Sequence, residues 1–309
     1  MTRKVLVMTL VLVMVSAMLA GCGAGRTSGS GEKSVYLITM DQMDQHWVNV
    51  DAGCKKAVAE LGNIKYTWLA PDVKDDAKQI ECINNAVAGG ADAILLAANG
   101  PDAVTAALEE AQKDGVKIVY VDSAADFPAE QTLATDNTAA GTLAGEQMKK
   151  ALEAAGIAEG KIGIVNVNAA TASVVQRETG FRKAFEGTNF EILETQYGDG
   201  DAAKSKDIAA NYLTQGCVGI FGTNEGSTVG VGNAIQEAGE KVIGVGFDKS
   251  DTILELIKNG YILCTMAQNP DVMGYEGMKT AVKVLSGEKV SADYYDTGVS
   301  VIDKAALSK

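Results

Sequence analysis

The chain has 309 residues, 47% hydrophobic and 22% charged, with a formal net charge of −13 and a pI near 4.6. So acidic a chain repels phosphate backbones, which argues against nucleic-acid partners. The length suits one large domain or two medium ones.

The N-terminus reads as a targeting segment rather than as part of the fold. Thr2-Arg3-Lys4 is positively charged, and Val5 to Ala20 is apolar except for Thr9 and Ser16. Leu19-Ala20-Gly21-Cys22 then supplies small residues for cleavage, the pattern of a secretory signal. The run is shorter than the roughly 20 residues that span a bilayer. Leu-Ala-Gly-Cys resembles the lipobox of bacterial lipoproteins, and this implies cleavage before Cys22 and a lipid on its sulfur. Residues 1–21 are thus expected to be a signal peptide, and 22–33 (CGAGRTSGSGEK) a lipidated flexible tether. The protein is expected outside the cytoplasm, anchored to the cell membrane by that lipid.

From there strands and helices alternate. Val35-Tyr36-Leu37-Ile38 is a strand, followed by a helix over about 49–61, the strand 66–69 and a helix over about 75–88. Strand 93–96, a helix over about 102–113 and strand 117–121 follow, then strand 162–165, a long helix, strand 190–194 and a helix over about 202–213. The strands are continuous apolar runs, as parallel strands buried on both faces require. The helices carry apolar residues three and four apart, as at Val104, Ala107, Leu108 and Ala111. Gly62 and Gly115 close two of them. Four further cysteines, Cys54, Cys82, Cys217 and Cys264, match no metal or CxxC spacing and are expected to be buried free thiols.

The succession repeats. AILLAANGPDAVTAALEEAQKDGVKIVYVDS (93–123) and GIFGTNEGSTVGVGNAIQEAGEKVIGVGFDKS (219–250) each run strand, Asn-containing loop, helix, Gly, strand, Asp. The fold class expected is α/β, with two similar doubly wound parallel-sheet lobes. Ligands of open parallel sheets sit beyond the carboxyl ends of the strands. Asp44, His46 and Trp47 follow the first strand, Asp122 ends the fourth, and Asn224 and Asp248 end strands of the second half. If the lobes face each other, these side chains share one cleft.

An ordered series of motifs is similar to the periplasmic sugar-binding proteins of the ribose-binding type, the solute receptors of ABC importers. It comprises Asp44-Gln45-His46-Trp47, Val121-Asp122-Ser123, Thr135-Asp136-Asn137, Arg177-Glu178-Thr179-Gly180-Phe181, Gly222-Thr223-Asn224, Gly246-Phe247-Asp248 and Ala267-Gln268. The resemblance implies the type I periplasmic binding protein fold, with lobe one at 34–135 plus 270–297 and lobe two at 136–269 plus 298–309. It also implies a three-segment hinge near 134–137, 268–271 and 297–300. The ligand-binding residues it implies are Asp44, His46, Trp47, Asp122 and Ser123 from lobe one and Arg177, Asn224, Asp248 and Gln268 from lobe two.

The chemistry of these residues suits hydroxyl groups. Carboxylates accept strongly from them, an Arg fork serves adjacent oxygens, and a Trp face covers the C–H side of a sugar ring. The chain departs from the ribose-binding pattern at His46, at Ser123, and at Gly200 in a lobe-two loop where an aromatic ring is usual. Those changes put ribose itself in doubt. With Asp44, Asp122 and Asp248 against Arg177, the expected ligand is a neutral sugar or polyol, with an amino-bearing analogue second. ABC permease subunits are the expected partners, the chain is expected to be a monomer, and no cofactor or metal is expected. A same-fold sensor that presents its closed form to a chemoreceptor or sensor kinase is the alternative output. A transcription regulator needs a DNA-binding headpiece where this chain has a leader. An enzyme is disfavoured because His46 is the only histidine and no nucleophile elbow accompanies it.

Overall fold

The computed structural model describes residues 31–239 and 241–308. The signal segment 1–21, Cys22 and the tether as far as residue 30 lie outside the described residues.

Lobe one is built on a six-stranded sheet in the order β2-β1-β3-β4-β5-β12. Its strands are β1 (Lys33–Ile38), β2 (Ile64–Leu69), β3 (Ala93–Leu96), β4 (Lys117–Val121), β5 (Thr132–Ala134) and β12 (Tyr295–Asp296). All pairings within it are parallel. Because side chains alternate along a strand, Val35 and Leu37 pack on one face and Tyr36 and Ile38 on the other. The first face is covered by α1 (Gln45–Leu61) and α9 (Pro270–Leu285), and the second by α2 (Asp76–Ala88) and α3 (Thr105–Lys113).

Lobe two repeats this plan. Its sheet runs β7-β6-β9-β10-β11-β13, from β6 (Gly160–Asn166), β7 (Phe190–Ile192), β9 (Cys217–Gly222), β10 (Ile243–Phe247), β11 (Cys264–Gln268) and β13 (Val299–Asp303). Only β13 is antiparallel to its neighbour, and a short β8 (Gln196–Tyr197) also pairs with β6. One face carries α4 (Asn137–Ala154) and α5 (Ala172–Ala184). The other carries α6 (Ala202–Thr214), α7 (Glu225–Ala238) and α8 (Asp251–Asn259).

The chain passes between the sheets three times, after β5, after β11 and between β12 and β13. These passages are tied to one another. Thr297 N–H donates to Ala134 O at 2.9 Å, Asn269 Nδ2 to Thr297 O at 2.7 Å, and Thr135 Oγ1 to Gln268 Oε1 at 2.9 Å. Differences from the expected elements are local. The first helix begins at Gln45 rather than near 49, so His46 and Trp47 lie in its first turn. The helix expected from 102 starts at Thr105 after turns at 101–104. The strand expected to reach 194 stops at Ile192. Cys54, Cys217 and Cys264 are free and buried, whereas Cys82 is half-buried.

Both lobes contain helices that meet at backbone distance. A Cβ on Gly141 would lie 2.0 Å from Arg177 O, and one on Gly180 2.0 Å from Thr138 O, so α4 and α5 touch through glycine. Gly53 and Gly274 do the same for α1 and α9. The contact at Gly141 fixes the height of Arg177 above the second sheet. Gly180→Ala is therefore expected to lower the unfolding free energy by about 1–3 kcal/mol through overpacking. Urea denaturation checks this, and an unchanged midpoint with an unchanged slope would contradict it.

Candidate functional site

The loop after β1 is ordered around one buried carboxylate. Asp41 Oδ1 accepts N–H groups from Met43 at 2.6 Å and Asp44 at 3.0 Å, while Oδ2 accepts Trp47 Nε1 at 3.1 Å. Lys74, from the loop after β2, pairs with Asp41 and lies 3.0 Å from Asp44 Oδ2. Burial works against the charge on Asp41, but Lys74 and the two N–H groups hold its pKa below the usual range. Asp44 goes the other way, because burial exceeds the help of Lys74 and because Asp41 and Asp248 repel it.

Asp122 and Asp248 occupy equivalent positions, each one residue beyond the fourth strand of its sheet. Both have left-handed backbones, with φ of 64° and 71°, a conformation that Asp tolerates better than most residues. Each donates its N–H to the neighbouring fifth strand, to Leu133 O at 2.9 Å and to Met266 O at 3.0 Å. Strain repeated at matching points of two lobes is characteristic of a functional position.

His46 joins these two acids. Its Nε2 lies 2.9 Å from Asp122 Oδ2 and its Nδ1 3.6 Å from Asp248 Oδ1, so the imidazole links acids from both lobes. All three side chains are buried. Burial opposes a charge on His46, but Asp122 and then Asp248 outweigh it and raise its pKa above 6.5. Asp122 is correspondingly lowered despite its burial, by His46 and then by Arg177.

Arg177, in the second turn of α5, is 2% exposed. Its Nε donates to Asn137 Oδ1 at 2.8 Å and Nη1 to Thr223 O at 3.0 Å, and its guanidinium lies 3.9 Å above the Phe247 ring. Among the described residues Nη2 has no hydrogen-bond partner, its nearest acid oxygen being Asp122 Oδ2 at 4.0 Å. Asn224 caps α7 through Oδ1, which accepts Ser227 N–H at 3.0 Å, while its Nδ2 is buried without a partner among the described residues. Gln268 donates Nε2 to Asp248 Oδ1 at 2.6 Å and so connects the hinge to the site.

One cavity is lined by Asp44, His46, Trp47, Asp122, Arg177, Asn224, Asp248 and Gln268, eight of the nine residues expected from the sequence. Ser123 is not in its wall; its Oγ accepts Ser173 N–H across the cleft at 3.4 Å. Trp47 is both a cavity wall and a member of the core under α1, and it meets His46 edge-on at 4.7 Å. Lys74, Met40, Val167, Thr171, Ser173 and Val174 also line the cavity and were missed by sequence reasoning. Lys74 was legible only through the rule that strand-end loops face the site, since PDVKDD otherwise reads as solvated surface. It occupies the space in front of Gly200, where a Cβ would come within 2.9 Å of its Nζ.

The cavity leaves only about 20 Å³ free, room for about one water molecule. It is flanked by a 330 Å³ vestibule past Lys74 and Glu225 and a 390 Å³ one past Asn49 and Lys249. The lobes are thus drawn together, with Thr171 Oγ1 also donating to Asn99 O across the cleft. Among the described residues no group of three or more acids, histidines or cysteines is arranged to hold a metal ion.

Residues 35–289 match the family described as the periplasmic binding protein domain. The ribose import binding protein RbsB of Haemophilus influenzae is 30% identical over 283 residues, covering 90% of this chain and 94% of that protein. A carbohydrate transporter solute-binding protein from Agrobacterium radiobacter, solved in complex with D-arabinose, is 34% identical. It superposes with a TM-score of 0.86, covering 91% of this chain and 97% of its own. An ABC transporter solute-binding protein from Agrobacterium vitis with bound D-fucose is 32% identical, with a TM-score of 0.84 over 89% of this chain and 97% of its own. Matched from β1 to the end of α9, and therefore across both sheets and the site between them, the chain belongs to the periplasmic binding protein family.

Proposed function

We propose that the protein is an extracytoplasmic receptor that binds a neutral sugar or polyol between its lobes and delivers it to an ABC importer. The observation that carries this reading is a pair of orphaned donors, Arg177 Nη2 and Asn224 Nδ2, buried in one cavity with the acceptors Asp122 and Asp248. A buried donor without a partner costs about 1–3 kcal/mol. The partner that suits donors and carboxylates together is a hydroxyl, which accepts from one and donates to the other. Relatives bound to D-arabinose and D-fucose support the same ligand class.

A sugar ring is larger than the free space, so the lobes have to part and His46 has to turn for it to enter. Sugar hydroxyls would then take over from the imidazole at Asp122 and Asp248. Trp47, with Met40, Val167 and Val174, offers an apolar wall to a ring face. Around the cavity and its vestibule eight carboxylates (Asp41, Asp44, Asp72, Asp122, Asp199, Asp201, Asp248, Glu225) face three cations (Lys74, Arg177, protonated His46). That excess of negative charge disfavours sugar phosphates and acidic sugars, because repulsion strengthens where water is excluded. Asp122 and Asp248 favour the charged form of His46 over the free base, in keeping with binding without chemistry.

Thermal unfolding against a panel of neutral, acidic and phosphorylated sugars tests this. Saturation at about 100 times the dissociation constant contributes roughly 2.7 kcal/mol, a shift of several degrees. Neutral sugars are expected to give the largest shifts, and Asp248→Ala and Arg177→Ala to weaken binding of the best one by about one to two decades. A phosphorylated sugar at the top of the panel, or unchanged affinity in both variants, would sink the reading.

The lipid anchor is part of the same proposal and rests on the sequence around Cys22. Cells fed radiolabelled fatty acid are expected to label the protein, and Cys22→Ala to abolish the label. Equal labelling of both proteins would remove the anchor.

A further inference from the structure

Glu225 begins α7 directly after Asn224, yet its carboxylate serves the other lobe. Oε1 accepts Gln45 N–H at 3.1 Å and Oε2 accepts His46 N–H at 3.2 Å. Both donors belong to the first turn of α1, where N–H groups have no partner within the helix. The N-cap residue of α1, Asp44, makes no capping bond and is bound to Lys74 instead. A carboxylate here also meets the positive end of the helix dipole. Glu225 lines the vestibule beside Asp44 and Lys74, not the cavity that holds Arg177 and Asp248. Its two bonds therefore exist only while the lobes meet.

We propose that Glu225 is a closure latch, a positioning residue that sets the balance between open and closed lobes by capping α1 of the opposite lobe. The latch goes beyond the receptor reading and shares with it the parting of the lobes and the segment that carries Asp44 and His46.

The latch is set against its surroundings. Asp44, Lys74 and His46 face it from lobe one, and Asp248, with Asp199 and Asp201 on the vestibule wall, from lobe two. Burial, and then repulsion from Asp44 and Asp248, push the Glu225 pKa up to about 7 against the pull of the two N–H groups. Parting the lobes returns the group to water and removes Asp44. A carboxyl whose pKa is higher closed than open takes up a proton on closing, so closure gains as pH falls through about 7. The protonated group still accepts one N–H through its carbonyl oxygen while repulsion from the two acids is relieved. His46, also raised in the closed form, acts in the same direction, and a variant has to separate the two.

Single-molecule energy transfer between dyes on the two lobes, without sugar, at pH 6 and pH 8, makes that separation. Glu225→Ala is expected to lower the closed-to-open ratio about tenfold at pH 6, the loss of the buried cap on α1. Glu225→Gln keeps an acceptor without the charge and is expected to stay closed at both pH values. From pH 8 to pH 6 the wild type is expected to gain about tenfold in closure beyond any gain in Glu225→Gln. Circular dichroism of both variants verifies that they are folded. An unchanged ratio in Glu225→Ala, or equal pH responses of wild type and Glu225→Gln, would overturn the latch. Either result leaves the sugar panel's ranking intact, so failure of the latch and failure of the receptor reading are distinguishable.

Discussion

The imidazole of His46 lies between two buried carboxylates that belong to different lobes, and the rest of the site is arranged around that fact. Two acids brought together across a dry cleft repel each other strongly unless a cation separates them. His46 supplies the charge when protonated, Arg177 adds a second cation 4.0 Å from Asp122, and Gln268 donates to Asp248 from the hinge. Breaking such a set by removing one member costs more than the set contributes as a whole, because the remaining charges stay buried. A ligand that replaces the imidazole therefore has to satisfy the same two acids, and hydroxyl groups do so without adding charge.

Repetition of one plan in two lobes explains why this geometry arises from so simple a chain. The order β2-β1-β3-β4-β5 recurs as β7-β6-β9-β10-β11, so each sheet ends its fourth strand in an aspartate with a left-handed backbone. The helix after each fifth strand crosses to the other lobe, α4 to the second and α9 to the first. Each then meets a partner helix through glycine, α4 with α5 and α1 with α9. Those close contacts leave little slack, so Arg177 on α5 and His46 on α1 are held at fixed heights over the sheets. Freedom is left to the three crossings, whose hydrogen bonds run through Thr135, Gln268, Asn269 and Thr297 and reach Asp248.

Much of this was legible in the sequence because it depends on local pattern. Continuous apolar strands, helical spacing and the repeated Asn and Asp at strand ends identified the two sheets and the side from which residues meet. What stayed hidden depends on distance in the chain. Lys74 sits in a loop that looks solvated and becomes buried only because Asp41 and Asp44 come to it from another loop. Glu225 looks like an ordinary acid in the first turn of its own helix, whereas its bonds go to residues 179 and 180 positions away. Ser123 reads as a binding residue by its place after Asp122, but its hydroxyl turns to Ser173.

In the reading proposed above, His46 is a buried cation in the closed cleft and the group that a sugar displaces. It is the chain's only histidine, so its ring gives a single, unambiguous set of NMR resonances. Titration of that ring in the sugar-free protein is the most direct measurement. A pKa raised above 6.5 means that the stabilisation is complete below the unfolded value and is lost as pH rises through the folded one. The expected result is a midpoint above 6.5 and displaced ring resonances when the best-binding neutral sugar is added. A midpoint below 6.5, with resonances indifferent to the sugar, would contradict it.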